Sequence, residues 1–171
     1  MSQLALQTTR LELRPLPAAA AGALPEDRST AARLLGAALS PDWPQPDLLD
    51  VLPMQAGGVP GGERFGVWVI IERELTTVVG DIGFMGPPGE DGSVEIGYSV
   101  IPDRRGRGYA SEVVRVLAAW ALAQHGVGSV TARCDVLNVP SIRILERAGF
   151  VRSGESHGQI CWRLETGSLR F

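Results

Sequence analysis

Cysteine and histidine are scarce, with two of each in 171 residues. Cys134 and Cys161 both fall in strand-like stretches, where an isolated thiol behaves as a small buried hydrophobe. Two cysteines make no disulfide framework, and no His/Cys spacing matches a metal site, so no bound metal is expected. Long apolar runs are lacking as well. The alanine-rich stretch Ala18–Ala23 is far short of the roughly 20 residues that cross a bilayer, and Pro25 follows it. No secretory leader pattern is visible, so the expectation is a cytoplasmic protein with no membrane partner. There is no excess of positive charge either. Sixteen basic residues against 19 acidic ones give a net charge of −3, without the basic face a nucleic-acid binder needs. What is present is a 44% hydrophobic content, enough for one ordinary core, and the chain reads as a single domain over residues 1–171.

Arg10–Arg14 alternates charged and apolar residues, the pattern of a half-buried strand, and Pro15 and Pro17 close it. Residues 18–39 are rich in Ala and Leu and predict one or two helices broken near Pro25. Residues 40–62 hold many of the prolines and glycines and read as a loop-rich insertion bordering a cleft. Strands are predicted over Phe65–Glu72, Thr76–Met85, Val94–Val100, Val130–Asp135, Phe150–Arg152 and Gln159–Leu164. Helices are predicted over Tyr109–Gln124, with Val113, Val116, Leu117, Trp120 and Ala121 on one face, and over Pro140–Ala148, ended by Gly149. Antiparallel strands followed by strand–helix–strand–helix–strands make a mixed α+β domain with a parallel crossover in the middle. His125 ends a helix, where a cation suits the dipole, and Trp43, Trp68 and Trp162 read as core or cleft-wall residues.

The stretch from Val94 to Ser111 carries the chemistry. A strand leads through Pro102-Asp-Arg-Arg-Gly-Arg-Gly108 into a helix. A loop entering a helix N-terminus aims several unpaired N–H groups at one point, and the helix dipole adds positive character, so the place favours a phosphate. Gly106 and Gly108 remove Cβ atoms where a phosphate would approach the backbone, and Arg104, Arg105 and Arg107 add charge. On an acidic protein this local basic feature fits a small phosphorylated ligand. A Walker A loop is excluded because Tyr109-Ala110 follow Gly108 in place of Lys-Ser/Thr. A dinucleotide fingerprint, Gly106-x-Gly108-x-x-Ser111, is one residue off pattern.

Four segments together resemble the GNAT acyltransferase superfamily, in its RimJ/RimL-like branch. They are Thr9-Arg-Leu-Glu-Leu-Arg-Pro15, Glu95-Ile-Gly-Tyr-Ser-Val-x-Pro102, Arg105-x-x-Gly108-x-Ala110, and Asn138-Val-Pro-Ser141-x-x-x-x-Glu146-x-x-Gly149-Phe150. The resemblance covers most of residues 8–165 and is weakest over 18–62. It implies a mostly antiparallel twisted sheet whose central parallel pair is splayed by a bulge, with helices on both faces. It implies acetyl-CoA as co-substrate, its pyrophosphate on the backbone of Gly106, Arg107, Gly108, Tyr109 and Ala110 beside Arg105. It implies a pantetheine arm paired with the strand end at Ser99, Val100 and Ile101 and met by the Asn138 amide, which also suits a helix cap.

Glu95 is the candidate general base. Alternation puts it on one strand face with Gly97 and Ser99, which leave room for a ligand. The need for a base is plain, since a primary ammonium is not nucleophilic and lysine's reference pKa is about 10.4. Many relatives carry a tyrosine seven residues after the Asn to protonate the leaving thiolate. Here that position is Leu145, so Ser141 is the candidate to face the sulfur. The function so implied is N-acetyl transfer to a primary amine, on a small molecule or a protein N-terminus, by direct attack in a ternary complex. A homodimer stays open, and a non-catalytic acyl-CoA-binding module on the same fold is the alternative.

Overall fold

The structure, a computed structural model, describes residues 3–168, so the outermost ends of the domain read over 1–171 lie outside it. Among the described residues, nine strands form one sheet: β1 (Leu6–Gln7), β2 (Leu11–Pro15), β3 (Ala38–Leu39), β4 (Val67–Glu72), β5 (Thr77–Phe84), β6 (Ser93–Val100), β7 (Ser129–Asp135), β8 (Val151–Ser156) and β9 (Gln159–Glu165). Six helices accompany them: α1 (Ala18–Ala23), α2 (Arg28–Leu35), α3 (Pro46–Leu49), α4 (Leu52–Ala56), α5 (Tyr109–Leu122) and α6 (Val139–Arg147). The sheet order is β1-β2-β4-β5-β6-β7-β9-β8, with β3 beside β5. The pairs are antiparallel except β6–β7 and the two-residue β3–β5 pair.

Alternation along the strands separates two faces. Trp68, Ile82 and Tyr98 are cross-strand partners, and Trp68 packs on Trp120 of α5 with ring centroids 5.2 Å apart. Phe84, the partner of Ile96, also reaches Trp120, so this is the α5 face. Arg14, Val69, Asp81 and Ser99 are partners on the other face. There the Arg14 guanidinium donates to Leu35 O at the end of α2, and the Trp43 indole donates to Asp81. This is the α2 face. The central strands β4 and β5 are covered on both sides, and all six residues of β4 are buried. Trp43, Trp68 and Trp162 are buried, as read from the sequence.

The feature that shapes the site is an interruption. β6 and β7 pair only at Ser93↔Ser129, Val94↔Val130 and Glu95↔Thr131. Beyond that point they part. Register shifts occur between β4 and β5 and between β8 and β9, whereas β5–β6 runs evenly from Gly80↔Val100 to Phe84↔Ile96. A free edge of β6 therefore borders a gap that opens toward α5 and α6.

Candidate active site

Between the end of β6, the start of α5 and the facing side of α6 lies a cavity of about 630 Å³. Its upper end is the loop after β6. Pro102–Arg104 make a single 3-10 turn, and then Gly106 (φ 75°) and Gly108 (φ 81°) take left-handed conformations that side chains disfavour. Gly108 caps α5, and the first rung of that helix is Glu112 N–H to Gly108 O, at 3.1 Å. The N–H groups of Tyr109, Ala110 and Ser111 precede that rung and face the cavity mouth, which is the anion-binding geometry expected.

The arginines are more tied down than the sequence implied. Arg104 is bound to Glu72 at 2.9 Å, and the Tyr109 hydroxyl donates to the same carboxylate at 2.7 Å. Burial alone would raise the Glu72 pKa, but hydrogen bonds from Tyr109 and Arg104 and the charges of Arg104 and Arg107 hold it below the ordinary value. This trio pins the loop and the start of α5 to the end of β4. Arg105 lines the cavity, but its Nε donates to Val100 O at 2.9 Å. Arg107 is exposed beside Tyr109 and is outside the lining. Arg10 lies 4.6 Å above the Tyr109 ring and is paired with Glu112 at 2.6 Å. Across the cavity Arg143 and Arg147, one turn apart on α6, supply cationic groups that the sequence reading did not assign. The period of the helix beginning at Asn138 was the signal for them.

At the strand end, backbone groups alternate between β5 and the gap. Met85 N–H donates to Glu95 O, and Ile101 N–H donates to Val79 O at 2.9 Å, so odd-numbered residues of β6 turn their backbone groups toward β5. The groups turned to the gap belong to Ile96, Tyr98 and Val100. Ser99 and Val100 line the cavity, but Ile101 is buried, already bonded and not part of it.

At the lower end Asn138 caps α6, its Oδ1 accepting from Ser141 N–H at 3.2 Å, which leaves its NH₂ free at the cavity wall. The Ser141 hydroxyl also lines the cavity and accepts from the Tyr98 hydroxyl at 3.3 Å. Leu145 is fully buried. No sequence pattern marks the Tyr98–Ser141 bond, which joins residues 43 positions apart.

Glu95 is not in the cavity lining. It stands on the α2 face, partly exposed, with Arg133 Nε 3.1 Å from its carboxylate. Glu95, the last β6 residue paired with β7, thus faces the α2 side, whereas Ser141 meets Tyr98 on the α5 side, three residues further along β6. Along the α2 face run Gly97, Ser99 and Asp81, all partly exposed. Asp81 accepts from Trp43 Nε1 at 2.9 Å, and Arg28 donates to Trp43 O and Ser40 O. Burial pushes the Asp81 carboxyl up to about 6, Asp47 adding to the rise and the Trp43 bond opposing it. No group of three or more His, Cys, Asp or Glu that could hold a metal occurs among the described residues.

A family model described as acetyltransferase (GNAT) domain matches residues 10–151. The uncharacterized N-acetyltransferase YjdG of Bacillus subtilis (strain 168) is 31% identical over 157 residues, 88% of this chain and 92% of that protein. RimL, a ribosomal L7/L12 α-N-protein acetyltransferase solved with coenzyme A, has the same fold at a TM-score of 0.69 and 17% identity, over 95% of this chain and 98% of that one. An acetyltransferase (GNAT family) from Bacillus anthracis aligns at a TM-score of 0.66 and 20% identity, over 95% and 98%. The chain belongs to the GNAT acetyltransferase family.

Proposed function

We propose that the protein moves the acetyl group of acetyl-CoA onto a primary amine, in one step within a ternary complex. One observation carries this reading. The free edge of β6 runs straight from the glycine turn to the place where the sheet opens to its other face. The pyrophosphate rests on the N–H groups of Gly106 to Ala110, with Arg105, Arg143 and Arg147 around it. The pantetheine arm pairs with the open backbone of Tyr98 and with the Val100 N–H, the Val100 carbonyl being held by Arg105, and the Asn138 NH₂ donates to one of its carbonyls. The thioester then lies in the gap, where a backbone N–H polarises its carbonyl.

The amine enters from the α2 face. Glu95 takes its proton, directly or through water, and the nitrogen attacks the carbonyl carbon. The C–N bond forms, the C–S bond breaks, and the electron pair leaves on sulfur beside Ser141. Holding the two reactants in one gap supplies most of the rate. Asp81 and Glu95, the latter beside Arg133, put two carboxylates on the acceptor face, which suits a cationic amine, either a small molecule or a protein N-terminus. RimL, named for the N-terminus of L7/L12, shares the fold.

The test is acetyl-CoA with a panel of amines, read by thiol release and by mass of the product. The chain contains no lysine, so self-acetylation adds little background. Transfer to a primary amine is expected. Coenzyme A binding without turnover on any amine would favour the binding-module alternative, for which the buried Leu145 in place of a phenol speaks.

A further inference from the structure

We propose that Tyr98 orients the Ser141 hydroxyl so that its proton points at the sulfur leaving from coenzyme A. The proposal rests on the acetyl-transfer reading above and adds a residue to it.

A serine hydroxyl has one proton and two lone pairs. At Ser141 the surroundings decide where each goes. The backbone N–H is fixed by the Asn138 cap, so the residue is held at the first turn of α6. The Tyr98 hydroxyl donates into one lone pair at 3.3 Å. Ser141 donates to no acceptor among the described residues. Its proton is therefore free, and the Tyr98 bond disfavours turning it back toward the strand. Both side chains line the cavity, beside the unpaired stretch of β6 along which the thioester lies in the proposed complex. Tyr98 is half-buried in the cavity wall.

The chemistry favours a hydrogen bond over a proton transfer. A phenol has an ordinary pKa near 10 and a thiol near 8.5, so passing the Tyr98 proton to the thiolate runs uphill. Burial raises the Tyr98 pKa further, which keeps the phenol a donor across neutral pH. The chain from Tyr98 to Ser141 to sulfur is then cooperative, each bond polarising the next, and it strengthens as charge builds on sulfur in the transition state. The ammonium loses two protons: the first goes to Glu95 before the attack, and the second, shed by the nitrogen as the amide forms, passes through water to the thiolate after the C–S bond has broken. No other group is consumed. Leu145, one turn further along α6, is buried and apolar, so it offers no second hydroxyl to orient Ser141.

Tyr98 is thus a positioning residue, acting through Ser141. The test is single-turnover acetyl transfer by Tyr98→Phe, Ser141→Ala and the double variant, with coenzyme A affinity by calorimetry. Tyr98→Phe is expected to slow transfer about tenfold, with coenzyme A affinity changed less than twofold. The double variant is expected to be no slower than Ser141→Ala alone, because the phenol has nothing left to orient. An activated donor, the acetyl ester of 4-nitrothiophenol, needs little help at sulfur and should shrink the Tyr98→Phe deficit, whereas a packing defect would persist. Full speed in Tyr98→Phe overturns the proposal, as does an undiminished Tyr98 effect in the Ser141→Ala background. A wild type that acetylates no amine overturns the acetyl-transfer reading itself.

Discussion

Replacing Asp81 with Asn should stabilise the protein, and only above mildly acidic pH. Asp81 sits on β5 facing the α2 side, with one oxygen accepting from the Trp43 indole at 2.9 Å. Its carboxyl is raised from 3.8 to about 6, chiefly by burial. The native state therefore holds the proton more tightly than the unfolded chain. Stability from this group is greatest when it is protonated in both states, falls as pH rises from about 4 to about 6, and is flat above that. The gap between the two values, at about 1.4 kcal/mol per pKa unit, is worth about 3 kcal/mol at neutral pH. Asn keeps the size and an acceptor for the Trp43 N–H but carries no charge to desolvate. Urea unfolding followed by tryptophan fluorescence, at intervals from pH 4 to pH 8, reads the difference between the two proteins and cancels other titrating groups. Asp81→Asn should gain about 1–3 kcal/mol at pH 7.5, a rise of several degrees in Tm for a chain of this size, and the gain should vanish by about pH 4. A variant that is less stable at pH 7.5, or a difference that ignores pH, would refute the reasoning.

Three further outcomes follow from the site. Gly108→Asp forces a left-handed backbone (φ 81°) on an ordinary residue and sets a negative charge at the start of α5, so calorimetry should detect no coenzyme A binding. Asn138→Asp keeps an oxygen to cap α6 but loses the NH₂ donor, so Tm should hold while coenzyme A affinity falls; unchanged affinity would make Asn138 a cap alone. Glu95→Gln should lower kcat by about 10²–10⁴-fold with coenzyme A affinity intact, and should flatten the rise of kcat with pH.

Much of this was legible in the chain, for identifiable reasons. Strands with one wet face show alternation, and Leu11–Pro15 and Ser93–Val100 were read nearly to the residue. β8 was read as three residues but runs to Ser156, because all six of its residues are exposed on a sheet edge and carry no period. β1 and β3 have two residues each and exist only through their partners. The glycine turn was visible because Gly106 and Gly108 are needed for their backbone angles. Hidden from the sequence were the long-range pairings that set the charge. Glu72 takes Arg104 out of the free cations from 32 residues away, Arg133 engages Glu95, and Trp43 meets Asp81 through the insertion read as a cleft border. The gap itself is a missing pairing, and nothing in the sequences of β6 and β7 marks where their pairing ends.

The central claim is that the gap beside β6 holds the acyl donor between a phosphate-binding turn above and a hydroxyl pair below. A crystal structure of the protein with coenzyme A tests it most directly. The account predicts the pyrophosphate on the N–H groups of Gly106 to Ala110, the pantetheine arm along Tyr98 and Val100, and the sulfur within about 4 Å of Ser141 Oγ. Coenzyme A bound elsewhere, or a sulfur beyond about 5 Å of Ser141 with no bridging water, would contradict it.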